Sequence, residues 1–398
     1  MLEQIFLAIL AGIIAGTITG LFPGIHINLV ALLLFVSSNF FLQFASPVVL
    51  AIFIIAMSIT HTFLDFIPSV FLGAPNEDTA LSVLPGHLLL LKGYGYAAIK
   101  LTTIGSFFGL LVALALSPLL TILAPLAYSF LVKIMAFLLI AIVSFLILSE
   151  KKKFWAFFIF FISGILGLAT LNFSLINQPL LPLFSGLFGT SLLAISFFKD
   201  VRLPEQKIKT IKIEKREISS TLTLSIFASL LVSFLPGVGS AQAATIASAF
   251  KKLNEKTFLL MLGAVNSLVI VFSFVALYAI DKPRSGVAVF VGKFLPFLNQ
   301  QQLWLLLLAA LLAGCISVFL ALFFARTFSK SIMKINYKWL CFYIILFIAL
   351  ISIAISGPLS LLVLIAGTSI GVITSIIGIK KIHMMGSLLL PVILYYLL

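Results

Sequence analysis

The sequence predicts an all-α polytopic membrane protein made of two inverted repeats, each containing Pro-Gly-interrupted, re-entrant helices. Three observations predict it. Only 9% of the 398 residues are charged and 62% are hydrophobic, whereas soluble domains carry about 25% charged residues. Apolar runs of roughly 20 residues, the length that spans hydrocarbon, recur along the whole chain. The dipeptide Pro-Gly interrupts such a run twice, in "LFPGIHINL" (21–29) and "FLPGVGSAQ" (234–242), with polar residues directly behind each break.

Taken in order, the first half has apolar segments at 4–22, 27–42, 47–72, 79–91, 97–122, 128–149, 154–172 and 175–197. The first of them, "IFLAILAGIIAGTITGLF", lacks a basic flank and a small-residue cleavage site, so it reads as a retained span and not a signal peptide. The longest polar stretch, "KDVRLPEQKIKTIKIEKRE" (199–217), follows. It divides the chain into a first repeat (1–198), a basic cytoplasmic linker (199–217) and a second repeat (218–398). The second repeat has segments at 218–234, 238–250, 257–280, 286–298, 303–325, 337–356, 358–379 and 381–398. Each half opens with a span, a Pro-Gly break and a short helix. Each continues with a span, a second Gly/Pro-rich break and another short segment, and then further spans.

The net charge of +14 sits in the gaps between these runs, at 92–100, 150–153, 199–217, 251–256, 326–338 and 380–381. That is the pattern of cytoplasmic loops under the positive-inside rule and not of a nucleic-acid-binding face. With all of these loops inside, 97–149 and 154–197 form out-and-back pairs, each half makes an odd number of net crossings, and both termini lie outside the cell membrane. The second half is then inverted relative to the first, an architecture shared by many secondary transporters. The two cysteines, Cys315 and Cys341, lie in apolar context and match no metal or redox spacing. No metal site, resident cofactor or ATP-binding motif is expected.

Pro23 and Pro236 each remove a backbone donor, and Gly24 and Gly237 free the backbone, so a helix stops and restarts at each place. The restarts fall near His26 and Asn28 in the first half, and near Gly239, Ser240, Gln242 and Thr245 in the second. The free N–H groups of a helix start bind anions, and a backbone break at membrane depth is tolerated only against protein or a watery cavity. Two such starts facing each other would bind one anionic group near the midplane; kinked helices packed on glycine are the other reading. The second pair of breaks holds Gly73, Pro75, Asn76, Glu77 and Asp78 in one half and Asp281, Lys282 and Arg284 in the other. The acidic residues read either as a helix cap in a wet loop or as embedded functional carboxylates. Within the spans, His61 and Asp65 are four apart and share a helix face. They are candidates to couple transport to a proton, and Asp78 is a third; the alternative is a structural pair. Asn266 and Asn172 are either cavity-lining or partners in interhelical hydrogen bonds.

At these motifs the chain resembles the large membrane subunit of the tripartite tricarboxylate transporter family. "FLPGVGSAQAATIASAF" (234–250) is close to that family's second signature, and "GLFPGIHINLVALLLF" (20–35) is a looser form of the first. "GAPNEDTALSVLPGHLLLLKGYG" (73–95) and "LPLFSGLFGTSLLAIS" (181–196) are similar to two further family segments. The chain departs where His26 and Asn28 replace small residues, and where a Gly-Pro-Gly turn becomes Lys-Pro-Arg-Ser-Gly (282–286). The resemblance implies proton-motive uptake of tricarboxylates, handed over by an external substrate-binding protein and helped by a small membrane subunit; the coupling ion expected for this chain is a proton or sodium. Together these features lead us to expect a secondary transporter for a small organic anion, working by alternating access. A translocase for an anionic lipid such as a polyprenyl phosphate is the rival reading. An intramembrane lipid enzyme built on His61 with Asp65, or on Glu77 with Asp78, is the third.

Overall fold

The computed structural model describes residues 2–22, 27–74, 79–198, 203–209, 211–233, 240–251, 253–283, 285–332 and 336–397. Nine helices among them are long and apolar enough to cross a membrane. The first half contains α1 (Leu2–Leu21), α2 (Ile27–Val36), α3 (Ser38–Phe41) and α4 (Pro47–Leu64), the last extended by a π-helical turn at Pro68–Leu72. A 3₁₀ turn (Ala80–Ser82) leads into α5 (Val83–Leu91), then α6 (Gly95–Leu148), α7 (Lys153–Leu171), α8 (Leu180–Phe184), a π-helical stretch (Ser185–Thr190) and α9 (Ser191–Phe198). The second half contains α10 (Lys215–Ser233), α11 (Ser240–Phe250), α12 (Glu255–Ile280), α13 (Gly286–Phe294) and α14 (Gln300–Ser331). It ends with α15 (Tyr337–Ser356), α16 (Ser360–Ile377), a 3₁₀ turn (Lys381–Met385) and α17 (Gly386–Leu397).

The core is made of helices from both halves, packed crosswise. α6 lies along α12, and α4 lies along α14. Small residues bring α6 and α12 into backbone contact: a Cβ on Gly105 would collide with the Leu260 carbonyl oxygen, and one on Gly263 with the Thr102 carbonyl oxygen. Ser106 Oγ also donates to the Gly263 carbonyl at 3.2 Å. Between α4 and α14, Ser317 Oγ donates to Thr60 Oγ1 at 3.0 Å. Close approach through small residues is how helices associate in lipid, where burying apolar surface against lipid tails gains little.

Contacts at the helix ends fix the directions. Phe71, ending the α4 element, stacks near Phe328 at the end of α14, with ring centroids 5.8 Å apart. Phe71 also reaches Gly95, where α6 begins. Lys92, just before α6, pairs with Glu255 at the start of α12 at 2.9 Å. α4 and α14 therefore end where α6 and α12 begin. Along α1, Gly12 meets Phe53 and Ala56 while Gly20 meets Leu64, so α1 runs parallel to α4. Lys251 Nζ donates to Ser220 Oγ at 2.7 Å, which puts the start of α10 at the Glu255 end. The linker is pinned there too: Lys207 N–H donates to the Gly93 carbonyl at 2.7 Å, and Gln206 Nε2 to the Leu90 carbonyl at 3.0 Å. Gly93 holds a left-handed φ of 80°, and a Cβ on it would press on the Glu205 carbonyl. The charged loops around residues 92, 206 and 251–255 thus gather at one end of the molecule.

One expectation is overturned. Residues 97–149 were expected as two helices separated by a loop near 123–127, but the chain is helical without interruption from Gly95 to Leu148. Pro118 and Pro125 lie inside this helix. Each removes a ladder hydrogen bond, which lets a helix bend within itself without a loop. A straight rod of this length would measure about 81 Å, more than twice the hydrocarbon thickness.

Candidate functional site

α10 carries Thr221, Ser225, Ser229 and Ser233 at successive fourth positions, all of them 0–1% exposed. Spacing of four aligns them on one face, and α10 packs on α12 and α11. This hydroxyl ladder runs toward the second Pro-Gly break. Ser225 uses its hydroxyl on the Thr221 carbonyl at 2.8 Å. The hydroxyls of Thr221, Ser229 and Ser233 have no hydrogen-bond partner among the described residues.

Beyond the break, Ser240 is the first residue of α11 and is buried. Its Oγ donates to Asn266 Oδ1, on α12, at 3.1 Å. Asn266 is 1% exposed, and its Nδ2, which can only donate, has no partner among the described residues; the neighbouring Ser267 Oγ has none either. An unmade hydrogen bond on a buried polar group costs about 1–3 kcal/mol. Left unpaired beside a helix start, the Asn266 amide makes a place for a ligand that offers an acceptor. Thr245 is buried one turn further along α11, and Gln242 belongs to the same helix.

The first half offers a different chemistry. His61 and Asp65 are 2% and 1% exposed, with His61 Nε2 3.9 Å from Asp65 Oδ2. His61 Nδ1 lies 3.0 Å from Thr19 Oγ1, and that hydroxyl donates to the Gly16 carbonyl at 3.2 Å. One ring nitrogen of His61 is thus engaged with Thr19 and the other, Nε2, faces the carboxylate. A proton arriving at this pair would sit on Nε2 or on Asp65, between two elements of one span. Asn28 falls in the first turn of α2, which packs on α4 and α13. α4 and α12 pack against each other, so the helices bearing His61 and Asn266 are neighbours.

Gly73 closes the π-helical turn in a left-handed conformation with φ of 63°, and a Cβ there would lie 3.2 Å from the Leu193 side chain. Pro23, Gly24, His26, Pro75, Asn76, Glu77, Asp78, Pro236, Gly237, Gly239 and Arg284 lie outside the described residues. Asn172 is exposed at the end of α7, and its Nδ2 bonds the Leu168 carbonyl of its own helix at 2.8 Å, so among the described residues it bonds within its helix and not across to another. Lys282 is exposed at the end of α12. The hydroxyl ladder escaped sequence reasoning because each serine taken singly is a weak polar residue in an apolar span. Its regular spacing of four was the available signal.

Residues 6–386 match the tripartite tricarboxylate transporter TctA family. A relative from Methanocaldococcus jannaschii, uncharacterized protein MJ1079, is 35% identical over 411 aligned positions that cover all of both chains. No solved structure gives a significant match. With a family match across nearly its whole length and spanning helices throughout, the chain is a multi-pass membrane protein that belongs to the tripartite tricarboxylate transporter TctA family, a family of transport components and not of enzymes.

Proposed function

We propose that this protein is a secondary-active permease that moves a small organic anion, a carboxylate, by alternating access through two inverted repeats. The observation that carries the reading is the unpaired donor at the start of α11. Asn266 takes Ser240 Oγ, from the first residue of α11, on its Oδ1, while its buried Nδ2 has no partner among the described residues, and a carboxylate is an acceptor for such a donor. To that start we assign Pro236, Gly237, Gly239, Gln242 and Thr245 as substrate-binding residues, and to its counterpart Pro23, Gly24, His26 and Asn28. Gly73, Pro75 and Asn76 belong to the second break. His61 and Asp65, with Asp78, are the groups we assign to coupling, with a proton as the ion; sodium is the alternative that a proton-coupling assay separates.

The inversion is supported by the helix directions: α1 and α10, α4 and α12, and α6 and α14 run oppositely in pairs. With the basic loops at the cytoplasmic face, α1 starts outside, and we place both termini there. The first repeat then spans 1–198 and the second 218–398, with the basic linker between. The family's three-part organisation supports a small membrane subunit and an external binding protein as partners.

Equilibrium binding to the purified protein tests the reading. Citrate is expected to bind the parent, and Asn266→Asp, which replaces the free donor with an acceptor of like charge to the ligand, is expected to weaken it by more than about tenfold. Unchanged citrate affinity in Asn266→Asp would overturn the helix-start site. Binding of a polyprenyl phosphate with none of citrate would replace the carboxylate by an anionic lipid.

A further inference from the structure

Away from the helix start, a buried ammonium group has no counter-ion among the described residues. Lys381 opens the 3₁₀ turn before α17 and is 7% exposed, and its Nζ has no hydrogen-bond partner among the described residues. The carboxylate nearest in this network is already engaged. Glu150 takes Lys380 Nζ at 3.4 Å and His383 Nε2 at 3.4 Å. An unpaired buried charge is expensive. His87, on α5, is 1% exposed and close enough to Lys381 for their charges to interact. The Tyr337 hydroxyl lies 3.2 Å from His87 Nε2, and Ser196 Oγ lies 3.5 Å from the same nitrogen.

These groups come from both halves: His87 and Ser196 from α5 and α9, Tyr337 and Lys381 from α15 and the 3₁₀ turn. Among the described residues, no acidic side chain is paired with any of the four. The 3₁₀ turn packs on α11, the helix that begins at Ser240. His87 precedes Lys92 by little more than a turn of helix, which puts the cluster toward the charged-loop end.

We propose that Lys381, with the hydrogen-bonded His87–Tyr337 pair within reach of its charge, forms a second oxyanion site that takes a carboxylate of the transported anion between the Ser240–Asn266 pair and the charged-loop face. The proposal rests on the organic-anion reading above. The same oxyanion chemistry is present in a phospholipid headgroup, so the two sources are separated by measurement.

The test is thermal unfolding and citrate titration of the purified full chain in lipid-free detergent. Lys381→Met, which keeps the length and removes the charge, is expected to melt higher than the parent without citrate and to bind citrate at least about tenfold more weakly. Lys381→Arg is expected to keep most of the affinity. Tyr337→Phe, which deletes only a hydroxyl, provides a milder second variant and is expected to weaken citrate several-fold. Citrate affinity in Lys381→Met within twofold of the parent overturns the proposal. So does stabilisation of the parent by phosphatidylglycerol, through Lys381, with no response to citrate. Asn266→Asp separates the two sites: loss of binding there with normal binding in Lys381→Met leaves the helix-start site standing and removes this one. The reverse pattern keeps this site and removes the other.

Discussion

His61 Nδ1 is committed to Thr19, and Nε2 faces Asp65 across 3.9 Å, too long for a hydrogen bond and short enough for an ion pair once the ring gains a proton. Such a pair can change its proton count without moving the helix that holds it. His61→Gln keeps a donor near Thr19 and removes the titratable group. It is expected to leave citrate binding within about threefold of the parent while abolishing the dependence of uptake on an imposed pH gradient; gradient-driven uptake that survives in reconstituted vesicles would remove His61 from coupling. At this scale the sequence was partly legible. A spacing of four announced His61 with Asp65, and a break followed by small polar residues announced Ser240. The link from Ser240 to Asn266 was not legible, because it joins residues 26 apart on two helices and only packing decides that. Lys381 was hidden for the opposite reason. Beside Lys380 it reads as a loop cation, yet one of the two is 65% exposed and bridged to Glu150 while the other is buried.

Among the elements, the α6–α12 contact sets the tightest tolerance. Gly105 and Gly263 meet the opposing backbone itself, which has no side-chain tip to move aside. Gly105→Leu is expected to force the helices apart and destabilise the protein by at least about 1–3 kcal/mol, read as a lowered melting temperature in detergent. A melting temperature equal to the parent's would mean that the interface is looser than its geometry. Apolar run length gave most spans correctly, because hydrocarbon thickness fixes how long an uninterrupted run must be. It failed between 122 and 128, where the stretch around Pro125 reads as a gap between two segments. Within a membrane protein a helix can carry proline, since neighbouring groups or small local adjustments satisfy the freed carbonyls.

For the molecule as a whole, the basic loops were the useful sequence signal. They predicted a shared face, and the structure joins the loops at 92, 206 and 251–255 by direct bonds. What they could not tell was which helix of one half lies against which helix of the other. That partnership is crosswise: α6 against α12, α4 against α14. Its consequence is mechanical. Two bodies knitted through their centres cannot swing against each other about the strand of chain that joins them, so that strand is a tether and not a pivot. The chain should therefore survive being cut there. Residues 1–209 and 211–398, produced as separate polypeptides in one cell, are expected to copurify as a complex that still binds citrate, and fragments that do not find each other would refute the knit.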